Sequence, residues 1–292
     1  MPPSRFLTSF SAGARVPEHL LPYVRSISEL TPQEHEGFLV WHNKENLILV
    51  GHACGAAEFD TEHLDEAIQK LPEAFPTMEQ LTVLAPVRPS SAPAWSVSSS
   101  ADAYWGIPLP QNQAQLSHGQ KLRNMLRRAK QEITITQESW QPEHAELTAM
   151  FSRTHALAPE TRLLFSKIER YACTVPDSVL FSARSSNGML QGFSIGDYTA
   201  LETAFYLFAF RHPQSPPGTA DALLEALAEE GIKRGHTLLN LGLGINSGIA
   251  FFKHKWNAER LCSHVETTWT KRAPKKETTF ESLKRWLGLN GA

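Results

Sequence analysis

The order of apolar segments between residues 178 and 271 limits the fold more than any other feature. Apolar runs at 178–185, 188–199 and 200–213 follow each other with only short turns, which predicts three successive antiparallel strands. Helices at 142–157 and 160–172 precede them, and a helix over 216–235, a strand, a helix and a last strand follow. A strand that returns after a crossover helix runs parallel to its predecessor. The pattern therefore predicts an α/β (α+β) fold with a mixed central sheet flanked by helices.

The segment 238–258, LLNLGLGINSGIAFFKHKWNA, changes from a buried strand to a helix within a few residues. Gly242 and Gly244 allow the tight backbone path that such a change requires. Asn246 or Ser247 can cap the helix that begins there. Because ligands of open α/β sheets gather at the carboxyl ends of strands, we expect a site at this turn. The alternative is that these polar residues serve only as caps and surface groups.

A basic helix is predicted within residues 118–140. Its apolar residues recur at helical spacing, and no Asp or Glu lies within 121–130 to neutralise its cations: Lys121, Arg123, Arg127, Arg128 and Lys130. One interpretation is a solvated charged face. The other is a helix that binds an anion at a cleft. In that case Arg123 and Arg127, four residues apart, act together.

The first part of the chain is expected to be a small mixed domain. It contains a hairpin at 37–53, a helix at 61–75 and a strand at 80–87. The Pro/Ser-rich stretch 88–100 predicts a loop, and a short strand follows at 103–110. This part of the sequence shows no catalytic constellation. We predict two domains, residues 1–116 and 117–292.

Composition restricts the partners. The net charge of −2 over 292 residues argues against wholesale coating by nucleic acid, though not against a local basic patch, and no DNA partner is expected. Three widely spaced cysteines and the lack of a Cys/His cluster indicate neither a disulfide framework nor a metal site. No apolar run is long enough to span a membrane, and the N-terminal sequence does not resemble a signal peptide. We expect a bacterial-type cytoplasmic protein.

The element order from about Glu132 to Lys271 is similar to the GNAT acyltransferase fold. The basic helix and the segment 238–258 resemble the C-terminal domain of lysyl-phosphatidylglycerol synthases and the FemAB-like aminoacyltransferases. In those families a Gly, a Phe-Lys pair and an aromatic-Gly ending recur on the last helix. The matching positions here are Gly248, Phe252, Lys253 and Trp256, with Asn257 in place of the usual glycine. Both relatives carry two tandem GNAT-like halves, so two tandem GNAT-like domains are expected here, the first as a degenerate copy.

The resemblance implies a carrier site at the loop before the helix over 216–235. The family's loop, Gln/Arg-x-x-Gly-x-Gly/Ala, binds phosphates at the helix N-terminus. Gly218 and Ala220 fit this pattern, but Ser215 stands where Gln or Arg is expected. The alternative is a Pro-Gly turn capped by Thr219. The residues assigned to the acyl carrier are Phe208, Phe210, Ser215, Gly218, Thr219, Ala220, Ser247 and Lys253, and those assigned to the substrate are Arg123 and Arg127.

Few residues suit acid–base chemistry. Glu202 lies early in the strand before the carrier loop, where several GNAT enzymes place a base, and its alternative role is a rim carboxylate. Strand alternation predicts that Tyr206 and Phe208 share a face with Glu202. Tyr206 is assigned as the proton donor to the leaving group. Asn246 is expected near the bond that is broken.

We therefore predict an acyl or aminoacyl transferase whose acceptor is an amine or hydroxyl of a small molecule, peptide or lipid head group. Acyl-CoA is favoured as donor over aminoacyl-tRNA because the chain has no other long basic run. The rival hypothesis is a catalytically inactive GNAT-like protein that binds an anionic ligand. An amphipathic helix predicted within 276–291 packs on the protein in one interpretation and makes peripheral membrane contact in the other.

Overall fold

The computed structural model describes residues 5–43, 45–91, 93–113, 116, 118–155, 157, 159–244 and 247–271. The helices are α1 (Arg5–Ala12), α2 (Leu21–Ile27), α3 (Thr61–Ala74), α4 (Gln120–Glu132), α5 (Pro142–Thr154), α6 (Pro159–Phe165), α7 (Ile168–Thr174), α8 (Thr219–Lys233) and α9 (Ser247–Lys255). The strands are β1 (Thr31–His35), β2 (Phe38–His42), β3 (Asn46–Val50), β4 (Gln80–Ala85), β5 (Ser96–Pro108), β6 (Ile133–Gln137), β7 (Ser178–Ser185), β8 (Leu190–Asp197), β9 (Thr203–Arg211), β10 (Leu238–Leu243) and β11 (Glu259–Thr270).

These strands form one 11-stranded mixed sheet, in the order β1-β2-β3-β4-β11-β5-β10-β9-β8-β7-β6. One motif occurs twice in it. Strands β1, β2 and β3 pair antiparallel, and β4 returns parallel to β3 after helix α3. Strands β7, β8 and β9 likewise pair antiparallel, and β10 returns parallel to β9 after helix α8. The predicted mixed sheet with flanking helices is confirmed.

The two motifs exchange their final strands. Strand β5 follows β4 in the chain but pairs with β10, whereas β11 follows α9 but pairs with β4. Strands β5 and β11 also pair with each other along most of their length. The hydrogen bonding of the sheet is thus continuous across both halves. The division into residues 1–116 and 117–292 stays a prediction. Strand β11 belongs to the second predicted domain, whereas both of its partner strands, β4 and β5, belong to the first.

Helices cover both faces of the sheet. On β3, Leu47 and Leu49 pack in the core beneath α3, whereas Ile48 and Val50 belong to the opposite core, which includes α1, α2 and α7. That opposite core continues across the sheet to β8 and β9. Helices α4 and α8 form a third core with β5 and β10. Apolar residues on both faces of a strand are typical of a sheet buried on both sides.

Several elements differ from their predictions. Helices α1 and α2 and strand β1 lie in segments for which the sequence predicts no element. The loop predicted at 88–100 is wrong at its end, because β5 begins at Ser96 and pairs with β11 from Ser96↔Thr270 onward. The single helix predicted at 160–172 is divided into α6 and α7. The amphipathic helix predicted in the tail lies outside the described residues. Within the described part of the chain, no helix is both long and apolar enough to cross a membrane.

Candidate functional site

The sheet opens between β9 and β10. These parallel strands pair at three positions only, and the last pair joins Asn240 to Phe205. Beyond it β10 bends away, because the Asn240 side chain accepts a hydrogen bond from the Gly242 N–H at 2.7 Å and Gly242 takes the left-handed φ of 74°. The result is a strand gap, defined by residues 206–211 of β9 and 241–243 of β10. It lies at the edge of the sheet where α8 and α9 begin.

A β-bulge in β9 lies at the start of the strand gap. Ile195 of β8 pairs with Phe208, whereas its neighbour Gly196 pairs with Tyr206, so Leu207 is an extra residue. The bulge reverses the alternation of side chains along β9. Tyr206 therefore packs toward α8, whereas Phe208 is buried in the opposite core. The prediction that Tyr206 and Phe208 share one face is wrong for this reason.

The two phenylalanines assigned to the carrier lie in the core. Phe208 and Phe210 are each 4% exposed. The Phe208 ring contacts Tyr171 of α7, and the Phe210 ring contacts Phe151 of α5 and Phe165 of α6. These side chains stabilise the sheet on the side away from α8.

Tyr206 of β9 lies at the start of the strand gap. It is half-buried and packs against the core of α4 and α8. Burial raises the pKa of its phenol, and the nearby Asp221 carboxylate raises it further. The Tyr206 hydroxyl is therefore protonated and neutral at physiological pH.

Helix α8 begins at a glycine that packs against α4. Gly218 is the N-cap, in the left-handed region with a φ of 91°. A Cβ atom there would lie 2.8 Å from Cγ of Met125 and 3.1 Å from Cβ of Ala129. Close packing of two helices thus accounts for this glycine. Thr219 is the first helical residue, and its hydroxyl donates to the Pro216 carbonyl at 2.7 Å, so its predicted role as the cap is wrong.

The first turn of α8 carries a compensated carboxylate. Asp221 accepts a hydrogen bond from the Trp256 indole at 2.9 Å and forms a salt bridge with Lys255, whose Nζ lies 2.6 Å from Oδ1. The carboxylate therefore does not cap the helix, and its charge is balanced. The N–H groups of Ala220 and Asp221 have no partner within the helix and can bind an anion. The Ser215 hydroxyl nearby is buried without a hydrogen-bond partner among the described residues.

Helix α9 is anchored by Lys253. Its ammonium donates to the carbonyls of Gly242 at 2.7 Å and Leu243 at 2.5 Å, and the residue is only 3% exposed. Burial lowers the pKa of Lys253 to about 7, against the opposing effect of Asp102. The lysine thus holds α9 to the end of β10.

The other two residues assigned to this turn have different outcomes. Ser247 begins α9 and is exposed, at the edge of the sheet where the strand gap opens. Asn246 lies outside the described residues, so its expected place near the bond that is broken stays a prediction.

The basic helix α4 presents three of its cations, Arg123, Arg127 and Lys130, to one shallow cavity of about 400 Å³, shared with Glu225 of α8. Arg123 and Arg127 both line it, which agrees with their spacing. Lys130 lies 2.5 Å from a Glu225 oxygen and is paired. His118 lies 3.3 Å from the other oxygen. Arg123 and Arg127 are exposed and have no salt bridge among the described residues.

Glu202 lies far from these groups. Glu202 comes just before β9 and the carrier loop comes just after it, so the two are separated by the length of the strand, roughly 30 Å. Glu202 lines a different cavity, of about 920 Å³, together with residues of the first half. In the structure, Tyr206 therefore lies toward the N-terminus of α8, and Arg123 and Arg127 lie in one cavity. Glu202 does not lie near the carrier loop. No group of three or more His, Cys, Asp and Glu residues in the described ranges is arranged to hold a metal ion.

Sequence reasoning missed three features of this site. The bulge at Leu207 depends on pairing with β8 and has no local signal. The contact of Asp221 with Lys255 and Trp256 joins positions more than 30 residues apart. The close approach of Gly218 to α4 depends on how two helices cross. The Gly-Leu-Gly sequence before α9 did signal the bend of β10.

The fold is similar to that of several solved structures. FemX matches with a TM-score of 0.59 and 10% identity over 89% of this chain and 94% of FemX. The C-terminal domain of a protein assigned as a lysylphosphatidylglycerol synthetase from Agrobacterium fabrum matches at 0.58 and 12%, over 95% and 93%. A GCN5-related N-acetyltransferase from Kribbella flavida matches at 0.52 and 10%, over 94% and 97%.

Neither a protein-family model nor a curated protein matches the sequence. At these identities the structural matches concern the fold alone. They agree with the repeated strand and helix order and with the resemblance stated from the sequence. The chain has a GNAT-like fold related to that of FemX and of the lysylphosphatidylglycerol synthetase C-terminal domain.

Proposed function

We propose that this protein transfers an acyl or aminoacyl group from a carrier to an amine or hydroxyl acceptor, and that transfer takes place in the strand gap. One matched protein is named as a lysylphosphatidylglycerol synthetase and another as an N-acetyltransferase. The observation that carries the proposal is the opening of the sheet after Phe205 and Asn240, at the edge where α8 begins. A gap at the carboxyl ends of strands, next to a helix N-terminus, suits an acyl group with a phosphate-bearing carrier.

The bulge supplies groups for the acyl carbonyl. The backbone at Tyr206 and Leu207 lies beyond the last pair with β10 and at the register shift with β8. Amide N–H groups in such a position can donate to the carbonyl oxygen and stabilise the negative charge that it gains during attack. The acceptor nitrogen or oxygen forms the new bond to the carbonyl carbon, and the bond to the carrier breaks. The Tyr206 hydroxyl then donates a proton to the leaving atom, and the proton lost by the acceptor restores it.

The phosphates of the carrier are assigned to the start of α8. The N–H groups of Ala220 and Asp221 form the positive end of the helix dipole. The Asp221 carboxylate by itself would repel a phosphate, but the Lys255 ammonium balances its charge. The first turn of α8 therefore retains its attraction for an anion.

Helix α4 packs against the start of α8 at Gly218, and we assign its cations to the same carrier. Arg123 and Arg127 supply two positive charges from one shallow cavity, whereas Lys130 is paired with Glu225. Few unpaired cations thus remain at this cavity among the described residues. Such a small number suits acyl-CoA better than the long phosphate backbone of an aminoacyl-tRNA.

One observation favours the rival function, an inactive binding protein. Glu202 lies at the opposite end of β9, and the carboxylate beside the gap, Asp221, is held by Lys255 and Trp256. Neither carboxylate is placed to deprotonate an acceptor amine. An acceptor that enters as the neutral amine needs no such base, and Tyr206 then suffices. Turnover decides between the two functions.

Isothermal titration with acetyl-CoA, followed by assays of acetyl transfer to a panel of amines, tests the proposal. We expect acetyl-CoA to bind, and we expect Tyr206→Phe to retain binding while losing turnover by about a hundredfold. Arg123→Ala combined with Arg127→Ala should weaken binding by about tenfold or more, since two charged contacts are lost. Lys130→Ala is the matched control, because its charge is already paired with Glu225.

The outcomes separate the alternatives. Binding of acetyl-CoA without turnover on any acceptor supports the inactive binding protein. Binding of aminoacyl-tRNA alone, with a steep dependence on salt, supports the larger donor. If the double arginine variant binds every donor as the parent does, α4 is a solvated face and the carrier assignment is wrong.

A further inference from the structure

A second cavity lies between the two halves, away from the strand gap. Its volume is about 920 Å³. The first half contributes the segment after α1, the loop after β3 and Pro86 after β4, whereas the second half contributes residues at or near the starts of β9, β10 and β11. Much of its lining is apolar, including Ala12, Ala53, Phe59, Leu238 and Leu261. A cavity of this size and character can enclose a small molecule with an apolar body.

The cavity and the strand gap lie at equivalent positions of the two repeated motifs. The cavity belongs to the motif of β1 to β4, and the strand gap belongs to the motif of β7 to β10. The cavity lies at the carboxyl ends of β3 and β4, before α3. These strands remain paired over five positions, from Asn46↔Gln80 to Val50↔Leu84. The N-terminus of α3 is closed by Asp60, whose carboxylate accepts hydrogen bonds from N–H groups of the first turn. A negative charge at this position repels phosphate, so the cavity does not suit a second phosphate-bearing carrier.

Two opposite charges line the same cavity. Arg15 and Glu202 are both exposed, and neither side chain has a salt bridge among the described residues. Arg15 lies on the side of the first half and Glu202 at the start of β9, and both contribute to the lining of this one cavity. The two charges are thus available to a ligand.

The backbone fixes the spacing of these two residues. The Arg15 carbonyl accepts a hydrogen bond from the Asn240 side chain at 2.9 Å. The Glu202 carbonyl accepts from the N–H groups of Thr237 at 2.9 Å and Leu238 at 3.2 Å. Leu238 and Asn240 are two residues apart on β10, roughly 7 Å. The backbones that carry the positive and the negative side chain are therefore anchored a short distance apart beside an apolar chamber.

We propose that this cavity binds a small zwitterion with an apolar body, an amino acid or a short peptide, whose carboxylate contacts Arg15 and whose ammonium contacts Glu202. Charge complementarity at two points sets the orientation, and the apolar walls receive the side chains. The site is separate from the strand gap and does not require that the protein be a transferase.

Calorimetric titration with three probes tests the proposal: L-leucyl-L-leucine, its N-acetyl derivative and its C-terminal amide. We expect the parent protein to bind leucyl-leucine about tenfold more tightly than either blocked form, because each blocked form loses one charged contact. Arg15→Gln should lower the affinity for leucyl-leucine to that for the C-terminal amide. This variant should still bind leucyl-leucine more tightly than the N-acetyl form. Glu202→Gln should show the converse pattern. This crossed pattern assigns each charge to one end of the ligand.

Two controls complete the experiment. Arg153→Gln and Glu146→Gln change exposed residues of α5 that do not line the cavity, and both should bind all three probes as the parent does. Ala53→Phe fills part of the cavity and should weaken the binding of all three probes together. The proposal is overturned if leucyl-leucine shows no binding at concentrations up to about 10 mM, where even a weak specific site would be half filled. Equal affinity of the parent for the free and blocked peptides overturns it as well, and so does the lack of the crossed pattern.

Discussion

Lys253 should make the stability of this protein rise with pH just above neutrality. Its pKa is lowered from 10.5 to about 7 by burial, so between these values the unfolded chain binds more protons than the folded chain. The free energy of unfolding then increases with pH, by up to about 1.36 kcal/mol per unit. Integrated between about pH 7 and pH 9, the gain is about 2 kcal/mol. This value is an upper limit, because the two hydrogen bonds to Gly242 and Leu243 favour the ammonium form.

The pH window isolates this lysine from other shifted groups. Burial raises the pKa of Glu18 from 4.5 to about 7. Glu18 therefore affects the free energy of unfolding mainly between these two pH values, below the range in which Lys253 acts. Burial raises the pKa of Cys54 and Cys262 from 9.0 to about 11, so both thiols act in the opposite direction as the pH approaches 9, and the slope of the lysine is measured best between about pH 7 and pH 8. Urea unfolding at several pH values between these limits measures the slope directly.

Lys253→Met should abolish the slope, whatever its effect on stability at any single pH. Lys233→Met is the matched control, because the Lys233 side chain is 71% exposed, and it should retain the slope of the parent. If the parent and Lys253→Met show the same pH dependence, the ammonium is not desolvated in the folded state and its role in anchoring α9 is wrong.

Two further predictions concern a closely packed glycine and a buried acid. Gly218→Ala should lower the free energy of unfolding by about 1–3 kcal/mol, because it places a Cβ on a backbone in the left-handed region, 2.8 Å from Met125. Gly119→Ala is the control, since its Cβ would meet nothing within 4 Å. In the same urea titration it should change the free energy of unfolding by less than about 1 kcal/mol. Glu18→Gln should stabilise the protein above pH 7, by up to roughly 3 kcal/mol, because the raised pKa means that stability is lost as pH rises from 4.5 through about 7. The difference between parent and variant should vanish below pH 4.5 in thermal melts, and a difference that is independent of pH would show that Glu18 is not buried as an acid.

The sequence by itself determined most of the second half of the fold. Local periodicity and turn residues identified the three strands β7 to β9, helix α8 and the passage from β10 to α9, because each of these is specified by residues close in the chain. The apolar stripe of α4 and the shared cavity of Arg123 and Arg127 also follow from helical spacing. The first half was harder, since α1 and α2 are short and β5 has a polar start that becomes a strand only by pairing with β11.

Only the tertiary structure decided which face of β9 each side chain takes. The bulge at Leu207 arises from pairing with β8, and it separates Tyr206 from Phe208 although their spacing in the sequence predicts one face. Glu202 lies at the start of β9 as expected, but a sequence shows which residues precede a strand and not which cavity lies beside them.

The charge balance at the start of α8, the proposed carrier site, was decided in the same way. Pairing of Asp221 with Lys255 and Trp256 converts an apparent repulsion at the start of α8 into a neutral arrangement. These partners are more than 30 residues apart, and contacts between distant segments have no local signal in the sequence. Such contacts also position the segments that line the cavity between the halves, as the hydrogen bond from Asn240 to the Arg15 carbonyl shows.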